Sequence, residues 1–150
     1  MKKDTKKETP PAQGPQLLKE AGFKATPGRI ALVTLLSETR EPLTVTAIQE
    51  KLSALSTPLN TVTLYRALEG LVDRGLVRKV DFQHPHAHYE LVVGKKHHHH
   101  MVCNNCGDIE DIETCEPRAV EKSALKHSKK FASIKTHSLE FFGTCKKCAV

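Results

Sequence analysis

The sequence lacks the features that mark membrane and secreted proteins. No apolar run in its 150 residues approaches the ~20 residues that a membrane-spanning helix needs. The basic start, MKKDTKKETPPAQGPQ, is followed by no apolar stretch, so we expect no secretory signal and a cytoplasmic location. Aromatic residues make up only 5% and tryptophan is absent, so a small domain of this chain has little material for a core.

Positive charge is concentrated in the first half of the chain. The formal net charge is +6, of which residues 1–80 carry +5 and residues 81–150 carry +1. If four cysteines of the second half held one zinc ion as thiolates, that half would become acidic, at about −1. A basic half beside an acidic one suggests that the first half meets a polyanion. A merely solvated basic face is the alternative that charge alone leaves open.

Four of the five cysteines form two Cys-x-x-Cys pairs. In a reducing cytosol such pairs more often bind metal than form disulfides, and two pairs complete a tetrahedral sulfur shell suited to Zn²⁺. We therefore predict a structural zinc site made of Cys103, Cys106, Cys145 and Cys148. A redox-active pair is the alternative. Cys115 has no partner in this scheme, and we interpret it as an ordinary residue.

The first half carries four helical patterns followed by two strand patterns. The helices are predicted in PQLLKEAGF, TPGRIALVTLLSE, TVTAIQEKLSAL and NTVTLYRALEGLVDRG, with Thr26 and Thr44 as N-caps and Gly75 as a C-cap. The segments LVRKVDF and HAHYELV favour strands joined around residues 83–85. Three helices followed by a hairpin is the layout of a winged helix-turn-helix.

In that layout the third helix of the motif enters the major groove of DNA. Here that helix has an apolar stripe of leucines, and other side chains lie off the stripe. We predict that Thr63, Tyr65 and Arg66 contact DNA. The alternative is that Arg66 is only a solvated helix residue.

The segment VGKK, residues 93–96, is the best domain boundary. Beyond it, HHHHMVC and GDIEDIE favour strands, EPRAVEKSALKHS favours a helix, and FASIKTHSLEFFGTC favours one or two further strands. We therefore expect an α+β chain, in which a winged helix precedes a small α+β domain that zinc and a dimer interface stabilise.

The ordered motifs NTVTLYRALEGLVDRGLV, HYEL, HHHHMVCNNCG, THSLEFFGTC and CKKC together resemble the ferric uptake regulator family. The resemblance implies a homodimeric, metal-dependent repressor that binds a palindromic operator in double-stranded DNA. It also implies no membrane partner, no small-molecule substrate and no enzymatic activity. The implied domains are a disordered basic arm (1–15), a DNA-binding domain (16–92), a hinge (93–96) and a dimerisation and metal-binding domain (97–150).

The resemblance implies three metal sites. The structural zinc matches the four paired cysteines. The regulatory divalent metal, Fe²⁺ or Zn²⁺ with Mn²⁺ or Ni²⁺ as further candidates, would use Glu90, His98, His100 and Asp111. A second site in the dimerisation domain would use His97, His99, Glu121 and His137. Alternate residues of a strand share a face, so one histidine run can serve two sites.

The chain departs from the family pattern in ways that leave its branch open. Pro42 stands where many members have a histidine ligand. The regulatory site therefore either has one ligand fewer or recruits His86 or His88. The alternative is that His84, His86 and His88 lie on the surface by chance and bind no metal. Four consecutive histidines are more like the zinc-uptake branch, whereas Asp111 is more like the peroxide-sensing branch.

Three other functions are alternatives to that of a repressor: a zinc hydrolase, a metal buffer and a peroxide sensor. A zinc hydrolase would need an open coordination position, and no HExxH pattern occurs in the chain. A metal buffer would need the ligands but not the DNA-binding helix. A peroxide sensor would share the fold and would oxidise His98 or His100 through bound Fe²⁺.

Overall fold

The computed structural model describes residues 13–113 and 115–149, which divide into two compact units with a boundary between Val93 and Gly94. The boundary falls within the segment 93–96 that the sequence predicts as a hinge. Of the arm predicted at residues 1–15, residues 1–12 lie outside the described residues, whereas residues 13–15 are helical. A helix accepts Pro15 so near its start because first-turn N–H groups have no intrahelical acceptor.

The first unit contains the four predicted helices: α1 (Gln13–Glu20), α2 (Pro27–Glu38), α3 (Val45–Ala54) and α4 (Thr61–Asp73). The two predicted N-caps are confirmed, since the hydroxyl of Thr26 accepts from the N–H of Arg29 and that of Thr44 from the N–H of Ala47. Asn60 caps α4 in the same way. Each cap satisfies an N–H group that the helix itself leaves without an acceptor.

Helix α4 ends as its sequence predicts, through Gly75. This glycine has φ of +73°, a conformation that costs other residues strain. The N–H of Gly75 bonds to the carbonyl of Val72, and the N–H of Leu76 bonds to the carbonyl of Leu71. This pair of hydrogen bonds is a Schellman motif, and it directs the chain from α4 into the following strand.

A three-stranded antiparallel sheet completes the first unit. Its strands are β1 (Leu43–Thr44), β2 (Val77–Val80) and β3 (His88–Leu91), in the order β1-β3-β2. The β2–β3 hairpin is the predicted wing. Strand β1 was not predicted, because two residues are too few to show a periodicity. With α2 to α4, the sheet forms the winged-helix arrangement.

An apolar core lies within the first unit. All members of the buried hydrophobic cluster fall between Leu18 and Leu91. The stripe of α4 supplies Leu64, Leu68 and Leu71, each with no exposed surface. Helix α4 is therefore amphipathic: its leucine stripe is buried in the core, and its opposite face is exposed to solvent.

The second unit is a smaller α+β fold. It contains β4 (His99–Cys103), β5 (Ile109–Ile112), α5 (Pro117–His127) and β6 (Glu140–Gly143). The sheet order is β5-β4-β6, with β4 antiparallel to β5 and parallel to β6. No residue of α5 is buried. Of the helices in residues 13–113 and 115–149, none is both long enough and apolar enough to cross a membrane.

Replacing Leu68 by alanine should destabilise the first unit by about 2–5 kcal/mol, because it removes buried methyl groups and leaves a cavity. The matched control is Val62→Ala on the same helix, where Val62 is 60% exposed and the change should stay within about 0.5 kcal/mol. Urea unfolding followed by tyrosine fluorescence measures this unit alone, since both tyrosines, Tyr65 and Tyr89, lie in it. Equal midpoints for the two variants would contradict the assigned core.

Candidate metal centres

Two cysteine pairs meet at one end of the second sheet. Strand β4 ends at Cys103 and continues into the turn that holds Cys106, while β6 ends at Gly143 shortly before Cys145. Because β4 and β6 run parallel with Cys103 opposite Gly143, both turns leave the sheet at the same end. The sulfur atoms of Cys103, Cys106, Cys145 and Cys148 all lie within 4.8 Å of one another.

The spacing of these sulfurs fits a tetrahedral zinc ion. Zn–S bonds of about 2.3 Å place the sulfurs of such a shell about 3.8 Å apart. The Sγ atoms of Cys106 and Cys145 are 3.7 Å apart. The donor number, type and spacing therefore suit a closed zinc site, in which all four positions are filled by protein.

The backbone around the cysteines favours a thiolate at one of them. The N–H of Cys145 donates to Sγ of Cys103 over 3.3 Å, and this hydrogen bond is the main reason why the pKa of Cys103 falls to about 6. Side-chain hydrogen bonds with Cys145 and Cys106 raise the pKa of Cys148 to about 12. A first thiolate thus forms readily at Cys103. A bound metal ion would then deprotonate the neighbouring thiols.

His98 and His100 form one pair within the histidine run. Their ring centroids are 5.1 Å apart, and Nε2 of His100 lies 3.7 Å from Oδ1 of Asp111, its register partner on β5. Nδ1 of His98 donates to the carbonyl of Lys96 over 2.8 Å. That bond places the proton on Nδ1 and the lone pair on Nε2, as metal-binding histidines commonly require. Within the second unit, His100 therefore lies beside two further predicted regulatory ligands, His98 and Asp111.

Glu90, the other predicted regulatory ligand, belongs to β3 of the first unit. Its carboxylate accepts a hydrogen bond from Nε of Arg78 over 2.9 Å and is also ion-paired with the terminal nitrogen of that guanidinium. The two residues face each other across β2 and β3. The pairing of β2 with β3 therefore places this carboxylate beside the guanidinium of Arg78.

The other two histidines of the run belong to a separate cluster. Nε2 of His97 lies 3.0 Å from Nε2 of His99. The ring of His137 is 4.7 Å from that of His97 and 5.2 Å from that of His99. Cys115 joins them, with Sγ 3.4 Å from Nε2 of His137. The ligand atoms of these four residues all lie within 4.8 Å of one another.

One residue of this cluster was not predicted from the sequence, and one predicted ligand lies beside the cluster. Cys115, interpreted from sequence as an ordinary residue, is one of the four clustered side chains. Glu121, predicted as a ligand, lies beside His137, with its Oε1 3.4 Å from Nδ1 of that residue. The only sequence signal for Cys115 was that it is a fifth cysteine, outside the two Cys-x-x-Cys pairs and close to the histidine run.

The wing histidines are placed differently. The ring of His88 packs against Phe82 at 4.8 Å, and the ring of His84 lies 5.8 Å from that of His88. His86 is exposed. Among residues 13–113 and 115–149, no group of clustered metal ligands includes any of these three.

The predicted DNA-contacting residues share the exposed face of α4. Thr63, Tyr65 and Arg66 are all exposed, whereas the leucine stripe on the opposite face is buried. Asn60 accepts from the N–H of Thr63 over 2.8 Å, which holds the first turn in place. The helix therefore presents a hydroxyl, an aromatic ring and a guanidinium, groups suited to phosphates and base edges.

Residues 20–142 match the Ferric uptake regulator family. The Ferric uptake regulation protein of Legionella pneumophila is 32% identical over 136 residues, covering 89% of this chain and 96% of that protein. The peroxide-responsive repressor PerR of Staphylococcus aureus is 27% identical over 131 residues, covering 87% and 86%. The Vibrio cholerae ferric uptake regulator has a similar fold, with a TM-score of 0.71 at 26% identity over 87% of this chain and 98% of that one.

Replacing Cys103 by serine should release most of the tightly held zinc and destabilise the second unit, because a closed site needs all four thiolates. The matched control is Asn105→Ser, an exposed change in the same turn that leaves the sulfurs intact. Zinc per chain after dialysis against a chelator, together with thermal unfolding, measures both effects. A Cys103→Ser protein with a full equivalent of zinc and an unchanged melting temperature would refute the site.

Proposed function

Because the chain belongs to the ferric uptake regulator family of metal-dependent transcriptional regulators, we propose that it represses genes of metal uptake or homeostasis. One observation carries the proposal: a winged-helix unit with an exposed polar face on α4 and a unit with clustered metal ligands occur in the same chain. The partner is double-stranded DNA with a palindromic operator. The place of action is the cytoplasm, where the thiols stay reduced.

Structural Zn²⁺ is held by Cys103, Cys106, Cys145 and Cys148 in this proposal. The match between their sulfur spacing and a tetrahedral shell supports it. The ion links Cys103, at the end of β4, to Cys145, which is 42 positions later and follows the end of β6. Its main contribution is therefore to the stability of the second unit.

The regulatory metal is held by His98, His100 and Asp111, with Glu90 as the ligand that the family motif adds. The contact between His100 and Asp111 and the tautomer of His98 support this set. Divalent Fe²⁺ and Zn²⁺ are the leading candidates, since a mixed nitrogen and oxygen shell suits both. Occupancy regulates DNA binding if the metal-bound protein prefers the conformation that fits the operator.

A second metal ion is held in the dimerisation domain by His97, His99, Glu121 and His137. The approach of the three imidazoles supports this assignment. All of its residues belong to the second unit, so its main expected effect is on the stability of that unit.

The functional form is a homodimer through the second unit. Two adjacent side chains on its sheet support this: Met101 of β4 and its register partner Phe141 of β6 are 45% and 46% exposed. Helix α5 likewise buries no residue within its own chain. Apolar side chains exposed side by side on a sheet are typical of a surface that a second subunit covers.

Peroxide sensing is a second candidate within the same family. The similarity to the peroxide-responsive repressor and the presence of Asp111 at the regulatory site favour it. In that case Fe²⁺ at the site directs oxidation to His98 or His100. Mass spectrometry of the iron-loaded protein after peroxide treatment distinguishes the two, because only a sensor gains oxygen on these residues.

Replacing His98 and His100 together by alanine should leave the fold and structural zinc intact but abolish metal-dependent DNA binding. The probe is a duplex selected by the metal-loaded protein from a random library, used in mobility shifts with Fe²⁺, Mn²⁺, Zn²⁺ or Ni²⁺. His127→Ala, at an exposed position of α5, is the control and should bind as the wild type does. Undiminished metal-dependent binding by the double variant would refute the regulatory assignment, and a wild type that never binds DNA would favour a metal buffer.

Replacing Arg66 by alanine should weaken binding to the selected duplex by roughly 5- to 100-fold, as the loss of one base or phosphate contact implies. Metal content should not change. Lys51→Ala, which removes the same charge from an exposed position on α3, is the control. A loss confined to low salt marks a phosphate contact, and a loss that also relaxes sequence preference marks a base contact. Equal affinities for the two variants would remove Arg66 from the interface.

A further inference from the structure

Cys115 is the one cysteine that the structural zinc does not use, and it lies beside the second histidine cluster. It precedes α5 by two residues, whereas His137 precedes β6 by three. Their side chains meet across 22 residues of sequence, with Sγ of Cys115 3.4 Å from Nε2 of His137. A thiol at this position changes the chemistry of the site, because it supplies a soft ligand.

Two donor–donor distances in this cluster are close to those of a tetrahedral shell. For Zn–N bonds of about 2.05 Å and Zn–S bonds of about 2.3 Å, tetrahedral geometry places nitrogens about 3.3 Å apart and nitrogen and sulfur about 3.6 Å apart. The observed Nε2–Nε2 distance between His97 and His99 is 3.0 Å, and the Sγ–Nε2 distance from Cys115 to His137 is 3.4 Å. His99 is 3% exposed, so the cluster is shielded on one side.

The two nitrogens of His137 separate the tasks of Cys115 and Glu121. An imidazole binds a metal ion through one nitrogen and uses the other for an outer hydrogen bond. Nε2 of His137 faces Cys115, whereas Nδ1 faces Oε1 of Glu121 at 3.4 Å. A metal ion on the Cys115 side therefore leaves Glu121 on the outer side of the ring.

We infer that His97, His99, His137 and Cys115 form a closed tetrahedral His₃Cys centre for Zn²⁺, in which Glu121 is a positioning residue that orients His137. The inference rests on the proposed second metal site and changes its ligand set. One thiolate in place of a carboxylate selects Zn²⁺ or Co²⁺ over Mn²⁺, which prefers oxygen ligands. It also makes occupancy of this site sensitive to thiol oxidation, unlike the sulfur-free regulatory set.

Cobalt spectroscopy of the full-length protein tests the ligand set directly. Protein that retains its structural zinc is titrated with Co²⁺ under reducing, anaerobic conditions, and both metals are quantified in each sample. A thiolate bound to Co²⁺ gives a near-ultraviolet charge-transfer band, and a tetrahedral site gives intense visible bands. Because the proposed regulatory ligands contain no sulfur, a band that appears while zinc is retained reports on Cys115.

The wild type should show the charge-transfer band, and Cys115→Ser should lose it and bind this cobalt at least about tenfold more weakly. Glu121→Gln is the matched variant: it should keep the band, because the thiolate remains, and lose about 10- to 100-fold in affinity, as expected for an outer partner. Metal-loaded wild type should also protect Cys115 from alkylation, which peptide mass spectrometry measures.

Three results would overturn the inference. Cobalt bound at this site without the band, with Cys115→Ser unchanged in affinity, would remove Cys115 while leaving the second site standing. Loss of binding in Glu121→Gln but not in Cys115→Ser would make the carboxylate the ligand. Failure of the wild type to bind cobalt at the His97, His99 and His137 cluster, seen as unchanged affinities after His137→Ala, would refute the second site itself.

Discussion

The parallel pairing of β4 with β6 is the contact on which the four-cysteine cluster of this chain depends. Cys103 lies opposite Gly143 in this pairing, so both cysteine turns emerge at the same end of the sheet. A shift of one residue would rotate the strand's side chains to the other face and separate the sulfurs. The four sulfurs can therefore form one tetrahedral site only when β4 and β6 pair in this register.

The extended chain at the start of β4 explains how one histidine run contributes to two different clusters; His97 and His98 directly precede the strand, which begins at His99. Successive side chains on an extended chain alternate between faces, and those two apart lie roughly 7 Å apart along the backbone on the same face. His98 accordingly packs against His100, which lies beside Asp111, whereas His97 and His99 pack against His137. The four consecutive histidines thus belong to two clusters, which makes separate substitution of each pair meaningful.

The two units are stabilised by different interactions. The apolar cluster of residues 18–91 is a conventional core that needs no metal. In the second unit several of the buried side chains are histidines: His98, His99 and His100 are at most 9% exposed. Burying imidazoles is unfavourable unless their nitrogens have partners. The proposed four-cysteine zinc would add a metal contribution to the stability of this unit, because binding at a closed site contributes to the free energy of folding.

Local patterns in the sequence determined the helices, their caps at Thr26, Thr44 and Gly75, the wing and the four-cysteine set, because each depends on residues within a few positions of one another. The family resemblance, which rests on the order of such motifs, predicted the other candidate ligands. Only the tertiary structure placed Cys115 beside His137 and Glu121 on the outer side of that ring. Those contacts join residues far apart in sequence, and the route of the chain around α5 decides them. No periodicity or spacing encodes which nitrogen of a histidine faces a thiol, so that part of the site depended on the fold.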